Sequence, residues 1–220
     1  LIATTGGVFG STVTSTLASS PAISSAIRRA KPAGSGIKGN VVLARLKYVR
    51  EAGGEQALQA VLARLPPADR ELLSGWILPI SWYPLDVCLR LDDAIAGVMS
   101  PDDRASVFLA MGRASAEANL EGPQRPFVRE GDPHFLLQAA PQIYAKYYAV
   151  GRRTYERTGE TSAVLTTHGA ENVTATDCLT VVGWHVRAIE LCGGEDVSVV
   201  ETRCRTRGDE VCEYRCAWKR

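Results

Sequence analysis

The sequence predicts an α+β fold, with helices packed on a small antiparallel sheet. Helical periodicity fills most of the first 150 residues, and β-like runs appear only after Gly151. Those runs come as two hairpins around one helix, so strands and helices do not alternate as in a doubly wound sheet. With 220 residues and 45% apolar side chains, the chain can bury a sizeable core. One main domain over 37–220 is expected, preceded by a Ser-, Thr- and Gly-rich stretch, 1–36, read as a flexible basic tail or linker carrying Arg28, Arg29 and Lys31.

Each element has a local reason. VVLARLKYVREA sets Val42, Leu43, Leu46, Tyr48 and Val49 near one helical face. GEQALQAVLARL repeats the pattern with Leu58, Val61, Leu62 and Leu65, and Pro66 and Pro67 stop it. PADRELLSGW reads as a short helix capped by Asp69 or the preceding loop, and PISWYP as a turn-like connector. PLDVCLRLDDAIAGVM and PDDRASVFLAMGRASAEANL give two longer helices, the second with Pro101 at its first position and Asp102 and Asp103 beside it. HFLLQAAPQIYAKYYAVG continues the helices, with a kink or restart expected at Pro141. RTYERTGE and SAVLTTHGA form the first hairpin; a helix over about 175–191 precedes DVSVVETRCR and VCEYRCAW, the second.

The balance of 25 basic and 24 acidic side chains provides no overall field to recruit nucleic acid or an anionic membrane. No apolar run is long enough to span a bilayer, and the first residues lack a basic n-region. A cytoplasmic location follows as an expectation, in which six cysteines are free or metal-bound rather than paired. Cys88 reads as a plain buried thiol.

Cys178, Glu201, Cys204 and Cys212 sit at intervals of 23, 3 and 8. If the last hairpin turns through Arg207, Gly208 and Asp209, then Cys204 faces Cys212 across the strands, close enough to share a tetrahedral ion. Glu201 is three residues from Cys204, which on a regular strand puts the two on opposite faces. The site therefore predicts a bulge or an early strand end near Arg203. Cys178 would arrive from the first turn of the following helix, behind Thr176 or Asp177 as cap. Soft sulfur donors favour zinc, and four protein ligands make it a structural one; Arg203, Arg205 or Arg215 would screen its charge. Scattered core cysteines are the plainer alternative, and Cys192 or Cys216 could replace one of the four.

The run DCLTVVGW, then ETRC, then GDEVC, resembles the end of the 4-vinyl reductase domain and of the sensory domains of aromatic- and phenol-responsive transcription activators. The zinc site of those sensory domains, Cys, then Glu-x-x-Cys, then Cys, falls on the same four positions. Over roughly 37–218 the chain also resembles a family known from myxobacteria through GRASAEANL, IYAKYY, RTYER and TVVGWH. These resemblances imply a fold shared with vesicle-tethering subunits and haem-based nitric oxide sensors, often dimeric, with an internal apolar pocket.

The functional expectation is a cytoplasmic sensing module for a small apolar or aromatic molecule, with a structural zinc, signalling through a partner protein and forming a homodimer. The alternative is an interaction or scaffold module on the same fold, docking a partner through 1–36. Tyr147 and Trp184 are the candidate ligand-binding residues. His185 is expected to line a pocket or cap its helix, and His134 to cap a helix start. No nucleophile elbow, phosphate loop or metalloprotease motif occurs. Asp92 and Asp93, like Asp102 and Asp103, read as solvated helix ends, and no enzyme is expected.

Overall fold

A computed structural model describes residues 34–170 and 174–220. The tail expected over 1–36 lies, for residues 1–33, outside the described residues. Strand β1 (Gly36–Lys38) pairs antiparallel with β2 (Trp82–Pro84), so the PISWYP segment is a strand and not only a turn. Its isolated period was too short to show pairing with a distant tripeptide. Helix α1 (Gly39–Arg64) joins the two expected helices, with a break at Gly54 (φ 73°), a left-handed conformation that glycine adopts freely. Then come α2 (Pro67–Ser74), α3 (Leu85–Met99), α4 (Arg104–Leu120) and α5 (Pro133–Tyr147).

Asp103 caps α4 by accepting from the Ser106 N–H, so Pro101 stays outside the helix. Helix α5 runs through Pro141 without interruption, and Asp132, not His134, caps it by accepting from the Phe135 N–H. Strands β3 (Arg152–Arg157) and β4 (Ser162–His168) form the first hairpin. After α6 (Ala175–Leu191), β5 (Glu195–Arg203) and β6 (Val211–Lys219) complete a four-stranded antiparallel sheet in the order β3-β4-β6-β5. The cap of α6 is Thr174, which accepts from the Asp177 N–H; Thr176 and Asp177 lie inside the first turn.

The core has two parts. Helices α1, α3 and α4 bury the larger cluster around Val42, Leu91, Ile95, Phe108 and Met111. The smaller one lies between the sheet and helices α5 and α6, where Cys212, Tyr214, Cys216 and Trp218 alternate inward along β6. Helix α6 serves both, giving Ala188 and Cys192 to the first and Cys178 and Ile189 to the second.

Helices α4 and α6 approach backbone to backbone. A Cβ on Gly112 would lie 2.1 Å from the Thr180 carbonyl oxygen, and one on Gly183 would lie 2.1 Å from the Leu109 carbonyl oxygen. Arg113 clamps Glu190 through both carboxylate oxygens (3.0 and 2.6 Å), and Arg187 reaches Glu117 (2.7 Å) along the same seam. These half-exposed pairs each contribute little; the glycines set the spacing. Gly112→Ala or Gly183→Ala is expected to cost about 1–3 kcal/mol by forcing the helices apart. Gly75→Ala, where the nearest atoms stand 3.5 Å away, is the near-neutral control in urea unfolding. Equal midpoints for all three would refute the close-approach argument.

Candidate functional site

Two sites share α6, one at its N-terminal turn and one at its middle. At the first, one donor atom each from Cys178, Glu201, Cys204 and Cys212 lies within 4.8 Å of all the others. The three cysteines are buried, and Cys178 Sγ stands 3.6 Å from Cys204 Sγ and 3.8 Å from Cys212 Sγ. A disulfide needs about 2.05 Å, so these are separate thiols. Tetrahedral coordination with bonds near 2.3 Å would set sulfurs about 3.8 Å apart.

The bulge that Glu201 required is present. Pairing runs Glu201↔Tyr214 and then Arg203↔Glu213, so two residues of β5 oppose one of β6 and Cys204 returns to the inner face. The connection differs from a three-residue turn. Strand β5 stops at Arg203, a 3-10 turn covers Arg205–Arg207, and Gly208 takes φ 97°. Asp209 closes this longer loop by accepting from the Cys204 N–H (2.7 Å). Arg207, not Arg203, Arg205 or Arg215, screens the cluster, its Nη1 donating to Glu201 Oε2 at 3.2 Å. The other oxygen, Oε1, is buried without a hydrogen-bond partner among the described residues. Cys178 donates toward Cys212 Sγ, which holds the Cys212 thiol below its ordinary range and pushes Cys178 up. Cys192 and Cys216 are buried elsewhere and do not join the group.

The second site is a cavity of about 60 Å³ among α1, α4, α5, α6 and β3. Tyr147 and Trp184 both line it, as do Tyr144 and Tyr148, whose rings stack at 4.7 Å. Its polar wall was not legible in the sequence. Arg45, on the apolar face of α1, is 3% exposed and donates to Asp92 (2.8 Å) and Ser115 Oγ (2.6 Å). Asp92 is therefore a buried partner rather than a solvated helix end; burial pushes its carboxyl up despite Arg45. Asp93 does face solvent and pairs with Arg104. The only available signal was that Arg45 sits four residues after Val41 and four before Val49.

Opposite Arg45, Arg153 of β3 donates from Nε to Thr167 Oγ1 (3.1 Å) and lies 4.7 Å over the Tyr144 ring. His185 is fully buried. Its Nδ1 donates to the Val181 carbonyl (2.8 Å), leaving the Nε2 lone pair facing Arg153 Nη1 at 3.5 Å. Burial first, and then Arg153, bring its pKa down to about 3. His134 is outside the cavity, binding Tyr155 Oη (2.8 Å) and the carbonyls of Gly159 and Glu160, and so ties α5 to the β3–β4 turn.

No family model and no curated protein matches the chain. Solved structures do match in fold. An Fe(II) unliganded H-NOX protein from K. algicida superposes with a TM-score of 0.62 at 10% identity, covering 84% of this chain and 97% of that one. An H-NOX protein from S. oneidensis in the Fe(II)NO ligation state gives 0.64 at 12%, covering 84% and 100%. A third structure, from work probing heme distortion in the H-NOX family, gives 0.65 at 13%, covering 84% and 96%. The fold is that of the H-NOX domains.

This finding corrects the expectation of a structural zinc as the cofactor, since the cofactor named with this fold is haem. The residues of this chain do not fit haem either. The cavity of about 60 Å³ is far below the 300–1,000 Å³ or so of ordinary cofactor pockets. Its one lining histidine, His185, turns its free nitrogen toward a guanidinium. The H-NOX-like fold here therefore encloses a small aromatic and polar cavity.

His185 sets a pH response with a definite sign. It stays neutral in the folded protein down to about 3, whereas an unfolded histidine protonates near its ordinary 6.5. Between those values the unfolded chain holds one more proton, so stability falls as pH falls, by up to about 1.4 kcal/mol per unit from this group. His185→Gln is expected to reduce that slope by one proton in urea unfolding between pH 6.5 and 4. An unchanged slope would show that the ring is protonated in the fold.

Proposed function

We propose that this chain is a sensing domain. A small apolar or aromatic molecule enters the cavity beside α6, and the domain reports its presence to a partner protein. The cavity carries the reading: aromatic walls, Tyr147 and Trp184 among them, surround a short polar wall, the usual make-up of a small-ligand site. A volume of about 60 Å³ takes a few heavy atoms, so a ring-sized guest requires the cavity to widen. The H-NOX-like fold and the resemblance of residues 175–216 to sensory domains support the same class. The reading assigns no catalytic residue, and it takes the domain to work as a homodimer. Among the described residues no helix is long and apolar enough to cross a membrane.

In this reading the thiol cluster has a supporting part. Cys178, Glu201, Cys204 and Cys212 are its candidate metal-ligand set, three thiols and a carboxylate converging on one point. The orphaned Glu201 Oε1 supports this, because a buried carboxylate oxygen without a donor is costly unless a cation meets it.

A second reading, a protein-interaction module, is favoured by Trp76 and Ile80, which are 92% and 75% exposed on the α2–β2 connection. The two readings separate on whether the cavity takes a guest. Phenol and toluene are expected to raise the melting temperature of the protein, and Ala140→Leu, which fills the cavity, to remove the shift. No shift with either probe would leave the interaction reading. Independently, Co²⁺ is expected to bind at about one ion per chain with thiolate charge-transfer absorption. Cys204→Ser should weaken that band; its absence in the wild-type protein would exclude the metal site.

A further inference from the structure

Three charged groups border the cavity or its extension toward the cluster, Arg45, Arg153 and Asp177, and Asp92 stands behind Arg45 as its partner. Arg45 and Asp92 neutralise each other at 2.8 Å. Asp177 is buried in the smaller neighbouring cavity at the N-terminal turn of α6, where it acts on Arg153 through space without an ion-pair contact. Arg153 is thus held by neutral groups alone: Thr167 Oγ1 on one side, the uncharged His185 at the limit of hydrogen-bond range on another, and the Tyr144 ring beneath it. Among the described residues no carboxylate pairs with its guanidinium. It lines the larger cavity and the smaller one alike.

An arginine directed into an aromatic cavity with no carboxylate in ion-pair contact has one strong chemical preference, because its planar fork matches a carboxylate or a similar planar oxyanion. Tyr144 and Thr167 fix the guanidinium from below and behind, so little side-chain freedom remains to be lost on binding. The apolar body of such a guest would meet Ile143, Tyr147 and Trp184.

We propose that the ligand class of this cavity is a small aromatic or apolar acid, and that Arg153 is the residue that binds its anionic group. This rests on the cavity being the ligand site. Where the sensing reading asks only for a small apolar or aromatic molecule, Arg153 adds a charge requirement. The guest must carry a carboxylate or comparable oxyanion at one end.

The test uses benzoate, its uncharged isostere benzamide, and toluene as probes on the full chain, read by calorimetric titration and thermal shift. Benzoate is expected to bind about tenfold or more tightly than benzamide, and Arg153→Met to abolish that preference. If Arg153→Met does not fold, Arg153→Lys is the second variant: it keeps the charge but loses the fork, so the preference should shrink without vanishing. Benzamide or toluene binding as tightly as benzoate, or a preference that survives Arg153→Met, would overturn the assignment of Arg153 while leaving the cavity as a ligand site. No binding by any of the three would overturn both.

Discussion

Everything functional in this domain hangs on how closely α4 and α6 can approach. With Gly112 against the Thr180 and Trp184 backbone and Gly183 against the Leu109 carbonyl, the two helices touch where ordinary helices are separated by side chains. That contact fixes the depth and rotation of α6. From the fixed helix, Cys178 projects toward the last hairpin, while Trp184 and His185 face the cavity. A helix one methyl group further away would enlarge the cavity and draw Cys178 from Cys204 and Cys212. The same two glycines thus govern both sites.

The cavity shows how a small fold manages buried charge. Arg45 is placed in a nearly water-free position, where removing it from solvent is expensive, and it is retained by a carboxylate and a hydroxyl from two other helices. Arg153 is treated differently, held by a hydroxyl and an aromatic face from its own sheet and its neighbour α5. One cation is satisfied within the protein and the other is only positioned.

The two sites are also physically continuous. Tyr144, Tyr148, Arg153 and Val181 border the larger cavity on one side and, on the other, the smaller one that Cys178 and Cys212 complete. A shift of the Tyr144–Tyr148 stack would therefore be felt at the thiol cluster. The cluster is in turn bonded to the outer hairpin through the Asp209-closed loop. This gives a short packed connection from an enclosed cavity to the edge of the sheet.

The sequence by itself determined the fold class, most helix boundaries and the candidate cluster, because these depend on local periodicity and on the spacing of Glu201, Cys204 and Cys212 along one hairpin, with Cys178 at the start of a legible helix. The span 175–191 was legible from its apolar pattern, and the bulge before Cys204 from the mismatch between an offset of three and a strand period of two. Other features depended on residues far apart in the chain. The pairing of Gly36–Lys38 with Trp82–Pro84, the burial of Arg45 with Asp92 across 47 positions, and the aim of Arg153 at His185 across 32 leave no periodic trace. Even Gly112 and Gly183 read locally as weak points in two helices. Only the tertiary structure, by bringing the two backbones into contact, decided that they set how closely α6 lies against α4.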